Sequence, residues 1–304
     1  MNVLEVNEVH KKLGRRDIIK GISFSVKEGE IFGFLGPNGA GKTTTIRMMV
    51  GLIKPNKGSI TICGHDVAKN TKLALAQVGA VVENPEMYAY LTGRQNLNMV
   101  ADIRGLDRKS VDEVVEIVNL QNRINDKVRK YSLGMKQRLG LAAALIAKPK
   151  LLILDEPTNG LDPTGILDFR EIVKKASKVA NTAVFISSHI LSEVQQLCDT
   201  VAFISSGEIK AVESIAGGQV NNETETLVII TKEPDKGYGI IAKMDSVRQV
   251  NREDNVFTVT AEKEAACDII RGLVTEGVDI YEVYKKHNQL EQRYMELVEG
   301  GKRA

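Results

Sequence analysis

The chain has 304 residues, of which 43% are hydrophobic, 26% charged and 5% aromatic, with no tryptophan and a formal net charge of +2. This is the composition of a globular protein with room for one large or two ordinary domains, and its near-neutral charge argues against a nucleic-acid partner. No apolar run approaches the roughly 18 residues of a transmembrane helix and no signal peptide is present at the N-terminus, so we expect a cytoplasmic protein.

The first thirty residues alternate between apolar and polar side chains in the manner of two β-strands. The pattern predicts strands at 3–9 and 22–26, joined by a charged turn at 11–17. An apolar run at 31–35 then predicts a buried strand. We expect the first two strands to form an edge sheet that leads into this third strand and the segment that follows it.

A glycine-rich segment separates the strand at 31–35 from an amphipathic helix that begins near Lys42. Its glycines allow a tight turn in which successive N–H groups face one phosphate, and the helix adds its positive N-terminal end. Lys42 would reach the β- and γ-phosphates, and the Thr43 hydroxyl would ligate Mg²⁺. The spacing therefore predicts a phosphate-binding P-loop, formed by Gly36, Pro37, Asn38, Gly39, Ala40, Gly41, Lys42, Thr43 and Thr44.

The segment after the P-loop helix is rich in turn residues until a short strand at 59–64. An apolar strand at 78–83 ends in Glu83, and the Asn-Pro pair that follows disfavours helix, so Glu83 should lie at the mouth of a loop. From 92 to about 147 the apolar residues recur at helical spacing. We interpret this stretch as an all-helical insertion, whose last helix begins at Ser132, a residue suited to cap it.

The aliphatic run at 151–154 predicts a strand buried on both faces, and it ends in Asp155 and Glu156. Neighbouring strand residues point to opposite faces, so one carboxylate can face Mg²⁺ and the other the attacking water. A final strand at 183–187 places His189 at the same edge. A lone histidine at a strand end is usually structural, but one that follows a P-loop and an Asp-Glu strand favours a functional role.

With these motifs in this order, the first 215 or so residues resemble the ATPase cassette of ATP-binding cassette (ABC) transporters. The most specific part is the signature segment, Ser132–Met135, ahead of the Asp155–Glu156 strand. The resemblance implies an α/β P-loop NTPase fold with a RecA-like core sheet, an antiparallel β subdomain and a helical subdomain at about 86–148. The cassette would occupy 1–217.

The resemblance also implies a head-to-tail pair of cassettes that encloses two ATP molecules. Thr43 and Asp155 would hold Mg²⁺, and Glu156 would act as the general base on the attacking water, with His189 steadying the γ-phosphate. The signature segment would reach the nucleotide bound to the opposite subunit, and Asp162 would lie where the subunits touch. The signature residues are Ser132, Leu133, Gly134 and Met135.

Two positions depart from the family pattern. Leu13 stands where an aromatic ring usually stacks on adenine, so we expect weaker stacking and poor discrimination between ATP and GTP. Glu83 stands where a glutamine usually senses Mg²⁺ for catalysis and couples the cassette to the membrane subunit. A carboxylate at this position can still bind the metal, but it adds a negative charge and has no N–H to donate.

Glu83 and the form of the signature segment make the chain similar to the branch that exports antibiotics and antimicrobial peptides or confers immunity to them. We expect a peripheral subunit on the cytoplasmic face of the membrane, bound to integral membrane permease subunits and to a second cassette, identical or different. It would power export of an antibiotic, an antimicrobial or amphipathic peptide, or a drug. The alternatives are a soluble ABC ATPase acting on ribosomes or nucleic acid, and a regulatory cassette that binds ATP.

The composition becomes polar at 218–226, which predicts a linker to an accessory domain at 227–304. Short strands and helices then follow in the order βαββαβ, which predicts a small ferredoxin-like α+β domain. A last amphipathic helix is predicted at 290–298. We find no catalytic constellation in this stretch. A packing role that helps the ATPase to dimerise is favoured over a ligand sensor, because the fold alone does not indicate a function.

Overall fold

The computed structural model describes residues 1–83, 86–215, 224–262 and 265–285. These residues form two compact units, one within 1–215 and one within 224–285. The predicted boundary at 217 and the predicted helix at 290–298 lie outside the described residues, so the domain limits stay a prediction.

The first sheet is antiparallel and has the strand order β2-β1-β4-β5. The predicted turn at 11–17 is wrong, because both strands run further and leave only Gly14 and Arg15 between them. Charged residues of the predicted turn instead pair across the hairpin, as Lys12 does with Asp17 at 3.2 Å, in a part of the sheet that is open to solvent. The strands are β1 (Asn2–Leu13), β2 (Arg16–Lys27), β4 (Lys57–Ile62) and β5 (His65–Asp66).

The second sheet has six strands in the order β10-β9-β3-β8-β7-β6. All neighbours are parallel except β10, which runs antiparallel to β9. The predicted strand at 183–187 is confirmed as β8. The prediction that it is the final strand is wrong, because the buried apolar run of β9 inserts on the other side of β3 and β10 follows it. The strands are β3 (Ile31–Leu35), β6 (Val78–Val81), β7 (Leu151–Asp155), β8 (Ala183–Ser188), β9 (Thr200–Ser205) and β10 (Glu208–Ser214).

Four helices of the first unit begin at polar residues whose side chains accept a hydrogen bond from a free backbone N–H group of the first turn. Thr92 forms a capping box on α3, and Asp107 and Ser132 cap the next two helices, so the predicted helical insertion is confirmed. A single 3₁₀ turn, Val128–Lys130, lies between α4 and α5. The helices are α1 (Lys42–Met49), α2 (Thr71–Ala76), α3 (Gly93–Arg104), α4 (Arg108–Ile117), α5 (Leu133–Leu145), α6 (Pro163–Ala180) and α7 (Leu191–Leu197).

An aromatic core joins the two sheets of the first unit. Phe24 of β2 stacks on Phe32 of β3 and on Phe185 of β8, with ring centroids 5.3 and 5.7 Å apart. All residues of β3, β7 and β8 are buried, as expected for strands covered on both faces. This packing fixes the three strands side by side and therefore fixes the loops that leave their carboxyl ends.

The second unit is a four-stranded antiparallel sheet in the order β12-β13-β11-β14 with two helices, which confirms the ferredoxin-like prediction. Alternate residues of β11 and β13 pack with Ile241 of α8 and Ile269 of α9 in one apolar core. Its first strand begins at Thr224, before the predicted end of the linker at 226. The elements are β11 (Thr224–Thr231), α8 (Pro234–Ile241), β12 (Val247–Glu253), β13 (Val256–Glu262), α9 (Ala266–Thr275) and β14 (Ile280–Lys285).

None of the helices in the described part of the chain combines the length and the apolar character that a bilayer crossing requires.

Candidate active site

Three predicted motifs meet at the carboxyl edge of the six-stranded sheet. Strands β3, β8 and β7 are parallel neighbours, with Leu35 paired to Ser188 and Asp155 paired to Ser187. The P-loop, the Asp155–Glu156 pair and His189 therefore leave the sheet at one edge, where open α/β sheets bind their ligands.

The P-loop has a backbone that glycine makes possible. A Cβ added at Gly36 would lie 2.1 Å from the carbonyl oxygen of Ile204, so no larger residue fits without moving the β9 backbone. Gly41 has φ of 110° and is the N-cap of α1, whose first residue is Lys42. The predicted order of strand, glycine turn and helix is confirmed, and the N-terminus of α1 opens toward the site.

Lys42 is 5% exposed, and its ammonium has three oxygen neighbours. It donates to the carbonyl oxygens of Gly36 and Pro37, at 2.8 and 3.2 Å. Its Nζ also lies 3.0 Å from Oε1 of Glu156. The structure thus places the predicted phosphate-binding lysine directly beside the predicted general base.

Glu156 is held by polar contacts on both of its carboxylate oxygens. Oε2 accepts a hydrogen bond from Nδ2 of Asn159 at 2.7 Å and lies 2.7 Å from Nδ1 of His189. Burial, the largest single effect, raises the pKa of Glu156, but the hydrogen bonds from Asn159, Lys42 and His189 and the charge of Lys42 outweigh it and lower the pKa below 4.5. The carboxylate is therefore ionised at neutral pH.

The backbone of Glu156 has φ of 44°, a left-handed conformation that is strained for a residue with a side chain. Such strain persists where surrounding contacts enforce it. Ser187 supplies two of them: its Oγ accepts from the backbone N–H of Glu156 at 3.0 Å and donates to Oδ1 of Asp155 at 2.6 Å. The side chains of Asp155 and Glu156 thus have different partners, as their adjacent positions predict.

We refer to Lys42, Asp155, Glu156, Asn159, Ser187 and His189 as the carboxylate cluster. Sequence reasoning missed Asn159 and Ser187. Each had a weak signal in the sequence. Ser187 is a hydroxyl residue at the end of a fully buried apolar strand, and Asn159 is an amide residue three positions after Glu156 in a turn. Neither signal identifies a partner until the two strands are paired.

Two other predicted residues lie outside these contacts. Glu83 has φ of 61° and forms an ion pair with Arg47 of α1, a contact exposed to solvent. Leu13 is 47% exposed at the end of β1, opposite Arg16. In the part of the chain that the structure describes, no group of three His, Cys, Asp or Glu side chains is arranged to hold a metal ion. The roles of Leu13 and Glu83 stay predictions.

The signature segment lines a separate groove. Ser132 accepts from the backbone N–H of Met135 at 3.3 Å, and Asp162 accepts from that of Gly165 at 3.0 Å, so each caps its own helix. Both side chains are exposed, and a cavity of about 380 Å³ lies between their helices. It is lined by Ser132, Leu133, Gly134, Arg138, Gly160, Leu161, Asp162, Thr164, Gly165, Asp168 and Phe169.

The chain is similar to known proteins over almost its whole length. Residues 19–159 match the model of the ABC transporter family. The uncharacterized ABC transporter ATP-binding protein YhcH of Bacillus subtilis (strain 168) is 44% identical over 296 residues, which are 97% of this chain and 95% of YhcH. The chain belongs to the family of ABC transporter ATP-binding proteins. As a member of this family, it binds and hydrolyses ATP.

Two relatives of this ABC ATP-binding protein have named transport roles. The bacitracin transport ATP-binding protein BcrA of Bacillus licheniformis is 40% identical over 302 residues, 98% of each chain. The lantibiotic transport ATP-binding protein SrtF of Streptococcus pyogenes is 39% identical over 207 residues, 68% of this chain and 89% of SrtF. The longer match includes the second unit and the shorter one does not cover the whole chain.

A solved structure agrees with the fold of this ABC protein. An ATP-binding subunit of an ABC transporter matches with a TM-score of 0.64 and 29% identity, over 70% of this chain and 90% of that one. The ATP-binding proteins of the family work as dimers together with membrane permease components.

Proposed function

We propose that this chain is the ATP-hydrolysing subunit of an exporter for an antibiotic, an antimicrobial or amphipathic peptide, or a drug, with separate permease subunits. The observation that carries the proposal is the match to the bacitracin transport protein over 98% of both chains, second unit included. P-loop cassettes occur in transporters of many different substrates, so the cassette alone does not indicate the substrate. The shared second unit narrows the range of substrates.

In this proposal Glu156 is the general base. Its hydrogen bonds and the charge of Lys42 hold the pKa below the ordinary value of a glutamate, so the carboxylate can accept a proton from the water that attacks the γ-phosphate. The phosphate oxygens of bound ATP compete with Glu156 for Lys42, which lies 3.0 Å from Oε1. Binding of ATP therefore draws Lys42 toward the phosphates and frees one oxygen of Glu156 to face the water.

His189 steadies the γ-phosphate in the same proposal, and its protonation decides how. An ionised carboxylate can only accept hydrogen bonds, so the 2.7 Å contact with Glu156 puts a proton on Nδ1 of His189. In the neutral ring Nε2 then has no proton to donate. To donate to phosphate from Nε2, His189 must therefore either carry a proton on both ring nitrogens or lose its hydrogen bond to Glu156 and carry its single proton on Nε2.

Mg²⁺ fits the oxygen donors of this edge of the sheet. Magnesium is commonly bound by one or two carboxylates together with substrate phosphates, and it does not need a cage of three acidic or histidine side chains. The Thr43 hydroxyl and Asp155, which is oriented by Ser187, would hold it, and we propose Glu83 as a further carboxylate ligand. When bound, the ion neutralises charge that develops on the transferred phosphoryl group.

We further propose that the signature segment acts on the ATP of a partner cassette. Ser132 caps α5, and the first residues of that helix line the open groove. A helix N-terminus favours an anion. Asp162, across the same groove, would lie at the contact between the two cassettes. The purification experiment described next also identifies whether the second cassette is a copy of this chain or a different protein.

The proposal is tested by purifying the full chain from membranes through a tag, under conditions that keep complexes intact, and identifying the proteins that accompany it. We expect a polytopic membrane protein, an ATPase rate that changes when it is removed, and peptide-antibiotic resistance that is lost when the pair is deleted. Recovery of ribosomes instead of a membrane protein would overturn the transport role while leaving the ATPase. Resistance unaffected by the deletion would overturn the substrate class.

A further inference from the structure

Glu193 of α7 joins the two loops that carry Glu156 and His189. Its Oε2 accepts a hydrogen bond from Oγ1 of Thr158 at 2.6 Å, and Oγ of Ser188 lies 3.3 Å from the same oxygen. Thr158 is two residues after Glu156, and Ser188 immediately precedes His189. One carboxylate oxygen therefore lies between the turn after β7 and the end of β8.

The two hydroxyls that contact Glu193 are buried. Thr158 and Ser188 are 8% and 4% exposed, so their hydroxyls have little access to water and depend on protein acceptors. Ser188 Oγ also accepts from the backbone N–H of Ile190 at 2.9 Å, which fixes the chain on the far side of His189. Charge-assisted hydrogen bonds of this kind are stronger than neutral ones.

We propose that Glu193 is a positioning residue for hydrolysis, which fixes the loop of Glu156 relative to the loop of His189. The inference rests on the roles proposed above for those two residues. The 2.7 Å contact between Glu156 and His189 depends on where the two loops lie, and Glu193 is the carboxylate that both loops share. Small displacements of a positioned base are costly for a reaction rate.

The alternative is that Glu193 only stabilises α7, because an acidic residue in the first turn of a helix interacts favourably with the helix dipole. The two roles differ in what the uncharged Glu193→Gln variant does. The amide oxygen of Gln can still accept from Thr158, so a positioning role survives. A helix-charge role is lost equally in Glu193→Gln and Glu193→Ala.

The experiment compares steady-state ATP hydrolysis of full-length variants with their thermal unfolding. For Glu193→Ala we expect kcat to fall about ten-fold with little change in KM for ATP, and for Glu193→Gln to restore most of it. Thr158→Val, which removes only the hydroxyl proton donor, should match Glu193→Ala, and the double variant should lose no more than either single one. Glu171→Ala, an exposed glutamate of α6, is the charge-matched control.

A kcat of Glu193→Ala within two-fold of the unchanged protein, or equal losses in Glu193→Ala and Glu193→Gln, would overturn the inference. If Glu193→Ala does not fold, Thr158→Val carries the test, because it keeps the carboxylate and the shape of the side chain. Full hydrolysis by a Glu156→Gln variant would instead overturn the proposed site roles. The two failures are therefore distinguishable.

Discussion

The carboxylate cluster and the signature segment are both made of polar side chains, but they differ in what satisfies them. In the cluster, Glu156 and Asp155 are bound by side chains from three other elements of the same chain. In the signature segment, the hydroxyl of Ser132 accepts from the first turn of its own helix, and the side chain is exposed on an open groove. One site is assembled by the fold, and the other is presented to solvent.

The difference indicates which steps one chain can prepare alone. A cluster that is already hydrogen-bonded fixes the proposed base and the proposed phosphate-binding lysine before a partner arrives. A helix N-terminus on an exposed groove supplies N–H donors but needs a ligand brought to it. We infer that the chain holds one half of each catalytic centre ready and offers the other half across a dimer, and four experiments test this division.

Glu156→Gln should have the largest effect, because it removes the base while keeping its shape. We expect hydrolysis to fall by roughly 10²- to 10⁴-fold, with ATP still bound and a dimer trapped. The measurement is steady-state ATPase activity beside ATP binding and size-exclusion chromatography. Hydrolysis that persists at the original rate would show that the cluster does not contain the base.

Gly134→Asp should also stop hydrolysis, since it places a carboxylate where the groove is proposed to meet phosphate. A Cβ at Gly134 has only an ordinary contact, 3.7 Å from Leu161, so the variant should fold, and Gly134→Ala is the matched control. Mixing the Gly134→Asp and Glu156→Gln proteins should restore about one quarter of the activity, because half the dimers then contain one intact composite site of two. No recovery on mixing would contradict a signature that acts across subunits.

Asn159→Ala should have a smaller effect within the cluster. The hydrogen bond to Glu156 is lost, so the pKa of Glu156 should rise and kcat should fall by up to about ten-fold. Asn159→Asp, which faces Glu156 with a like charge, should lower kcat further. The pH dependence of kcat provides the check, and an Asp variant as active as the Ala variant would argue against an electrostatic role.

The smallest expected effect is on stability against pH. The pKa of Glu156 is lower in the folded chain than its ordinary 4.5, so its contribution to stability is complete above pH 4.5 and is lost as pH falls through the folded value. Unfolding of the unchanged protein and of Glu156→Gln should therefore converge below pH 4.5. A difference that stays constant from pH 7 to pH 3 would contradict the lowered pKa.

Much of the fold could be predicted from local patterns. The P-loop was predictable because strand, glycine turn and helix are consecutive in the chain, and the cap at Ser132 because it depends on the next three residues. The βαββαβ order of the second unit followed from short apolar runs in the same way. The pattern of apolar residues did not predict β9 and β10. Their places in the sheet depend on pairing with strands that are distant in the sequence.

The sequence by itself determined which residue types could bind phosphate and accept a proton, because motif spacing is a property of neighbouring residues. Tertiary structure decided which of them touch. Ser187 orients Asp155 and Glu193 joins two loops only because β7 and β8 are parallel neighbours, although 32 residues separate Ser187 from Asp155. The ion pair of Glu83 with Arg47 was equally invisible, since no local pattern specifies which distant charge a side chain will meet.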